Sequence, residues 1–506
     1  MKRAVRALVF IICFCMMFPC IVACAELDKD GPDVDYDEEY YDDSSREKTK
    51  GNLPDDIDLK GETVGFFYFS PLELDIEGED EEMDMVYTSI YERNQKVKTW
   101  LNMDFTFTPS DSDYWSDVSG EITNLVYTGD DTLDVVVAGS NTIIQNKLYS
   151  LFLDLNNTLY LELTQPWWNY NAIYETSLDG RVFEFLFGDI LLSSITSCGA
   201  IFYNKVLFEE MNPSLGSEHL YHMVDDGNWT LEQFYYLSNK SYIDKDGDQT
   251  RSDGDIYAFQ LFRYAEPIHY FANSAGIQYY KRAKTGFPEI TINTPKSVEF
   301  SELLLKVLYQ NQGANLYYPN QIGAETAHPH DFQDGRILFN LSTLGSALSE
   351  YTREMEDDYG IIPYPKWDEA QEEYITLIAN GAALACVPYT VVTGNNYDRL
   401  EYIICPTLEA MAIEAYRSVT ENFYELALKS SYTRDDIASE MIDLIVSTST
   451  KNFIYEYGSS LSGIGAIFST VMASQGNQNF ATVYASIGEA ADTLLKALIK
   501  EYGEIF

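Results

Sequence analysis

Beyond residue 24 the chain carries three cysteines, Cys198, Cys386 and Cys405, of seven in its 506 residues. Widely spaced and odd in number, they exclude a disulfide framework, and no C-x-x-C pair offers a zinc clip. They read as small buried apolar residues, with one bridged pair the most they allow. Cations are scarce: 33 Lys+Arg against 80 Asp+Glu leave a formal charge of −47. Such a surface repels phosphate backbones and excludes nucleic acid as a partner. Five histidines form no ligand set by spacing, and "HPHD" at 328–331 reads as a kinked loop. The chain has no HExxH, no GxSxG elbow, no GxxxxGK[ST] phosphate loop and no internal repeat, so those chemistries and a repeat-built adhesin are unsupported. After Ala23 no apolar run approaches the length that crosses a bilayer core of about 30 Å.

What is present is a large apolar store. At 46% apolar and 14% aromatic, the chain can bury a sizeable core. Its length suits roughly three domains of about 150 residues, or two larger ones. The start is different in kind. Lys2, Arg3 and Arg6 precede an apolar stretch from Ala7 to Ala23, at the lower edge of spanning length. "IVAC" at 21–24 resembles the lipobox of bacterial lipoprotein signal peptides. That resemblance implies cleavage after residue 23, acylation of Cys24, and a body outside the cytoplasm, lipid-anchored to the cell membrane. An uncleaved helical anchor is the alternative, and it too places the body outside. From Glu26 to Ser45 ten of twenty residues are acidic, so 24–60 reads as an extended tether.

The body shows continuous apolar runs at Val64–Phe69, 132–140 and 359–365, which read as buried strands. Val86, Ile90, Val97 and Leu101, and later Ile437, Met441 and Ile445, recur at helical spacing. Strands of this kind alternating with amphipathic helices predict α/β lobes with covered sheets. In "NWTLEQF", Thr230 and Gln233 form a capping box, with Trp229 and Phe234 as its hydrophobic staple, so Trp229 reads as structural. Thr433 and Asp436 repeat the capping spacing.

"FYNKVLFEEMNP" (202–213) followed by "DGNWTLEQFYYLS" resembles the bacterial extracellular solute-binding proteins of the maltose-binding-protein type. Stretches at 153–183, 332–339, 356–374 and 408–445 agree in order. The resemblance implies a two-lobe periplasmic-binding-protein-like α/β fold of type II, with discontinuous lobes joined by hinge crossovers. Expected lobe one is 61–165 plus 346–418, and lobe two 166–345 plus 419–506. It further implies a monomeric receptor that captures a carbohydrate or oligosaccharide between the lobes and passes it to ABC permease subunits, without an organic cofactor. A surface-anchored glycoside hydrolase is the alternative, and it needs two carboxylates about 5–10 Å apart across a cleft.

Sugars suit aromatic platforms ringed by polar groups, and Trp167 and Trp168 in "QPWWNYN" are the expected platform. Strand-end polar residues are the second class: Ser70, Ser140 and Asn141 in lobe one, Asp189 and Asn340 in lobe two. Packing under a loop, or ordinary loop polarity, is the alternative for each. Separately, "DKDGDQTRSDGD" places Asp244, Asp246, Asp248, Thr250, Ser252 and Asp255 at the 1, 3, 5, 7, 9 and 12 positions of a calcium loop. Gln249 stands where that loop has glycine, and Asp255 is shorter than the usual Glu. A structural calcium ion is the expected occupant, against a solvated acidic loop.

Overall fold

The computed structural model describes residues 46–80, 84–129, 132–252, 254–262, 266–317, 330–392, 396–429 and 436–504. Cys24, the leader, most of the tether, His328 and Thr433 lie outside the described residues. Two sheets organise the rest. In the first, β1 (Thr63–Tyr68) runs parallel to β2 (Asp104–Pro109) and to β3 (Val135–Gly139). β1 and β3 are buried along almost their whole length, which is why they read as unbroken apolar runs rather than alternating ones. Gly65 of β1 is required by space: a Cβ there would stand 1.8 Å from the Thr132 carbonyl oxygen. Close by, buried Asp134 accepts from the Gly65 backbone N–H and takes Arg399 as a two-pronged pair, at 2.7 Å on each oxygen.

The helix Met85–Leu101 covers this sheet. Asp84 caps it by accepting from the Val86 N–H, and Val86, Ile90, Val97 and Leu101 are all fully buried, the stripe read from the sequence. Arg93 is buried with them, donating to the carbonyls of Ile190 at 2.7 Å and Ile76 at 3.0 Å.

In the second sheet, β4 (Gly199–Asn204) lies antiparallel between β9 (Phe339–Thr343) and β10 (Tyr359–Ile362). β5 (Phe259–Phe262) pairs in parallel with β8 (Ala314–Tyr317), and the backbone just before β5 joins β9 through Leu338 and Phe339 N–H groups. A short hairpin, β6 (Tyr280–Arg282) and β7 (Pro288–Ile290), stands between. Thr230 caps the helix Leu231–Lys240, and Trp229 is fully buried against Phe234 with its N–H on the Pro363 carbonyl at 2.8 Å. That is the structural role expected of it.

Strand pairing moves the lobe boundaries. β10 belongs with β4, so the chain from 346 to about 378 sits with the second sheet rather than the first. It returns at β12 (Ala383–Cys386), antiparallel to β3. Conversely Phe152 bridges Pro388 and Leu186 bridges Ala385, so 166–188 stays with the first sheet and the second begins at β4. An apolar run announces a strand but not its partner. Between the sheets β11 (Thr376–Leu377) pairs with β13 (Ser449–Thr450), and Cys198 bridges Ile378. The three cysteines of the body are free and buried. Among the described residues no helix is long and apolar enough to cross a membrane.

Candidate functional site

β1, β2 and β3 are parallel, so their carboxyl ends share one edge, where ligands of α/β sheets gather. The structure brings Ser70, Ser140 and Asn141 to this edge. The Ser70 N–H donates to Ser110 Oγ at 2.9 Å, and the Asn141 N–H donates to the Asn380 carbonyl at 2.8 Å. Just after β2, Tyr114 and Trp115 stand 73% and 47% exposed, and the Trp115 carbonyl lies near Thr142 Oγ1. The sequence reading passed over these two rings. Their signal was an aromatic pair set in the polar run "SDSDYWSDVSG".

Ser140 does more structural work than a strand-end contact. It is fully buried, with Oγ 2.7 Å from the Asn380 carbonyl and 2.8 Å from Glu456 Oε2, and it accepts from Lys451 Nζ at 2.9 Å. Lys451 and Glu456 form a 3.0 Å ion pair with no solvent exposure, and Lys451 also donates to the Ala379 carbonyl at 2.7 Å. Burial pushes the Lys451 ammonium down from its ordinary value, and Glu456 opposes that shift. Next to Glu456, Tyr455 donates to Glu266 Oε1 at 2.7 Å, and Tyr270 donates to the other oxygen at 2.9 Å. The segment 451–456 thus joins the strand ends of the first sheet to the helix Pro267–Ser274 beside the second. Buried His269 on that helix has its pKa pushed down to about 4.

Asn340 does not follow a strand. It lies inside β9 opposite Phe202, because β9 continues through Ser342 and Thr343. Trp167 and Trp168 are not an open platform either. They are 1% and 5% exposed, and their indole N–H groups donate to the two oxygens of Glu409 at 3.0 and 2.8 Å. Burial pushes the Glu409 carboxyl up to about 6, while both indoles hold it back. The Trp168 ring still lines a pocket of about 430 Å³, together with Asp189. Asp189 accepts from Thr420 Oγ1 at 2.6 Å, and burial pushes it up to about 7.

In the acidic loop, carboxylate oxygens of Asp244, Asp246 and Asp255 come within 4.8 Å of one another. The other three predicted ligands turn elsewhere: Thr250 donates to Asp248, and Ser252 Oγ accepts from the Gly254 N–H. Gln249 adopts the left-handed backbone (φ 61°) of the glycine it replaces. Arg251 braces the loop, stacked on Tyr242 and Tyr257 and donating to the Gln312 and Ala314 carbonyls. Three of the six predicted ligands therefore lie together.

No protein-family model matches the chain, and no curated protein matches it. Solved structures share its fold. A cyclo/maltodextrin-binding protein complexed with maltotetraose aligns at a TM-score of 0.54 with 11% identity, over 87% of this chain and 98% of that one. UgpB from Mycobacterium tuberculosis, in complex with glycerophosphocholine, aligns at 0.52 with 13% identity, over 86% and 98%. The ABC transporter associated binding protein from B. animalis subsp. lactis Bl-04, in complex with beta-1,6-galactobiose, aligns at 0.50 with 14% identity, over 88% and 98%. The two discontinuous α/β lobes are those of the type II periplasmic-binding-protein-like fold. At such identities the likeness is one of fold.

Proposed function

We propose that the chain is an extracytoplasmic receptor of an ABC importer, capturing a carbohydrate or oligosaccharide between its lobes and handing it unaltered to permease subunits. The observation that carries this reading is the exposed Tyr114–Trp115 pair, its Trp115 carbonyl against Thr142 just after Asn141, at the strand ends of a two-lobe fold. Flat C–H faces of a sugar suit such rings, and the Ser70, Ser110 and Asn141 groups nearby supply polar partners. A thermal-shift panel of mono- and oligosaccharides tests it. The expected result is a raised melting temperature with at least one oligosaccharide, recovered intact after incubation. Trp115→Ala should weaken that hit by 10-fold or more without lowering the melting temperature of the free protein, since the ring is half exposed. A cleaved product would instead establish the glycoside hydrolase.

Acylation of Cys24 belongs to the same proposal, as does a monomeric body held by lipid at the outer face of the membrane; mass spectrometry of the membrane-extracted chain reads the lipid. A calcium ion on Asp244, Asp246 and Asp255 would staple the surface loop. Calorimetry with calcium on chelator-treated protein should show heat and a higher melting temperature; neither change would leave the loop to Arg251 alone.

A further inference from the structure

The pocket beside Trp168 shares no residue with the strand-end edge: Ser70, Trp115 and Asn141 are absent from its lining. Its volume of about 430 Å³ falls in the range of small-molecule sites. It is also built from both lobes. Gln165 to Asn171 and Gly188–Asp189 come from the stretch paired with the first sheet, whereas Asp443 to Ser449 come from the helix packed on β10 and the strand after it.

Its charges are internally settled. Arg46 donates to Asp443 at 2.7 Å and lies over the Tyr424 ring at 4.3 Å and the Tyr416 ring at 5.5 Å. Asp189 accepts from the Thr420 hydroxyl, and burial pushes its carboxyl up to about 7. Among the described lining residues the one cation, Arg46, is paired with Asp443, and both acids accept a hydrogen bond. What the pocket offers is aromatic surface from Trp168, Tyr170 and Tyr416, and uncharged polar groups. Asn171 and Ser447 are solvent-exposed members of the lining. On the buried side, Tyr424 lies against both Asp443 and the Arg46 guanidinium.

We propose that this pocket is a second binding site, distinct from the strand-end site, for a small uncharged polyhydroxylated molecule of monosaccharide or cyclitol size. Aromatic rings and uncharged polar side chains in one lining suit such a ligand. Because both lobes contribute, an occupant would also bear on how they sit together.

Calorimetry on the full chain with glucose, galactose and myo-inositol, and with inorganic phosphate as the charged comparison, tests the proposal. At least one neutral probe should bind and phosphate should not. Ser447→Trp and Thr164→Trp place a bulky side chain at exposed lining positions, where neither residue supports the core. Each should weaken the neutral probe by 10-fold or more. Trp115→Ala should leave it unchanged, which separates this site from the proposed receptor site. Binding that Trp115→Ala abolishes and both filling variants spare, binding of phosphate alone, or no binding by any neutral probe would overturn it.

Discussion

Replacing Lys451 with methionine is expected to lower stability by about 3–5 kcal/mol, because the change strands the Glu456 carboxylate in a site with no solvent. The loss is large for a local reason. Lys451 holds three separate pieces of chain at once: Ser140 at the end of β3, Ala379 on the return from the second sheet to the first, and Glu456 in its own segment. Methionine fills most of the volume but donates nothing, so the Ala379 carbonyl, Ser140 Oγ and Glu456 Oε1 lose their charged partner. Glu456→Leu alone should cost a similar amount, since it strands the ammonium. The double change Lys451→Met with Glu456→Leu should recover much of the loss, because removing both charges also removes their desolvation cost. Urea denaturation of the four proteins closes the cycle. Additive losses would mean that the pair is not coupled and that the buried geometry around Ser140 is wrong. Ser140→Ala should cost less, about 1–3 kcal/mol, because the ion pair survives and only its hydroxyl bridge goes.

That network also shows where reading the sequence stops. β1, β3 and the helix Met85–Leu101 were legible because their signal is local: an unbroken apolar run, or apolar residues at helical spacing. Trp229 was legible too, since cap and staple lie within six residues. Ser140 was correctly placed at a strand end, yet its partners are 240 to 316 residues away and nothing local announces them. Sequence distance from its partner β4 likewise hid the lobe assignment of β10, whose apolar residues would serve either sheet. Trp115 was missed for the opposite reason. A polar neighbourhood conceals an exposed ring, whereas "PWW" attracts attention by composition alone.

The adjacent tryptophans give the second large effect. Trp167→Ala is expected to destabilise the protein by about 3–5 kcal/mol, the cost of emptying a buried indole site. Trp168→Ala should be comparable, with the pocket wall lost as well. Trp168→Phe keeps a ring but withholds the N–H from Glu409, so it isolates the hydrogen bond at about 1.5–3 kcal/mol. The pH dependence identifies the acceptor. Glu409 is raised from its ordinary 4.5 to about 6 by burial, so folding favours its protonated form. Its contribution is therefore fully present below pH 4.5 and is lost as pH rises through about 6. Glu409→Gln, which cannot ionise, should flatten stability across that window. Withdrawing an indole donor should push the carboxyl higher still and carry the loss toward neutral pH. Chemical denaturation between pH 4.5 and 7.5 reads all of these. An open sugar platform would behave differently: Trp167→Ala would forfeit ligand affinity and melt like the parent. Unchanged melting in that variant would therefore return the pair to the surface and remove Glu409 as its anchor.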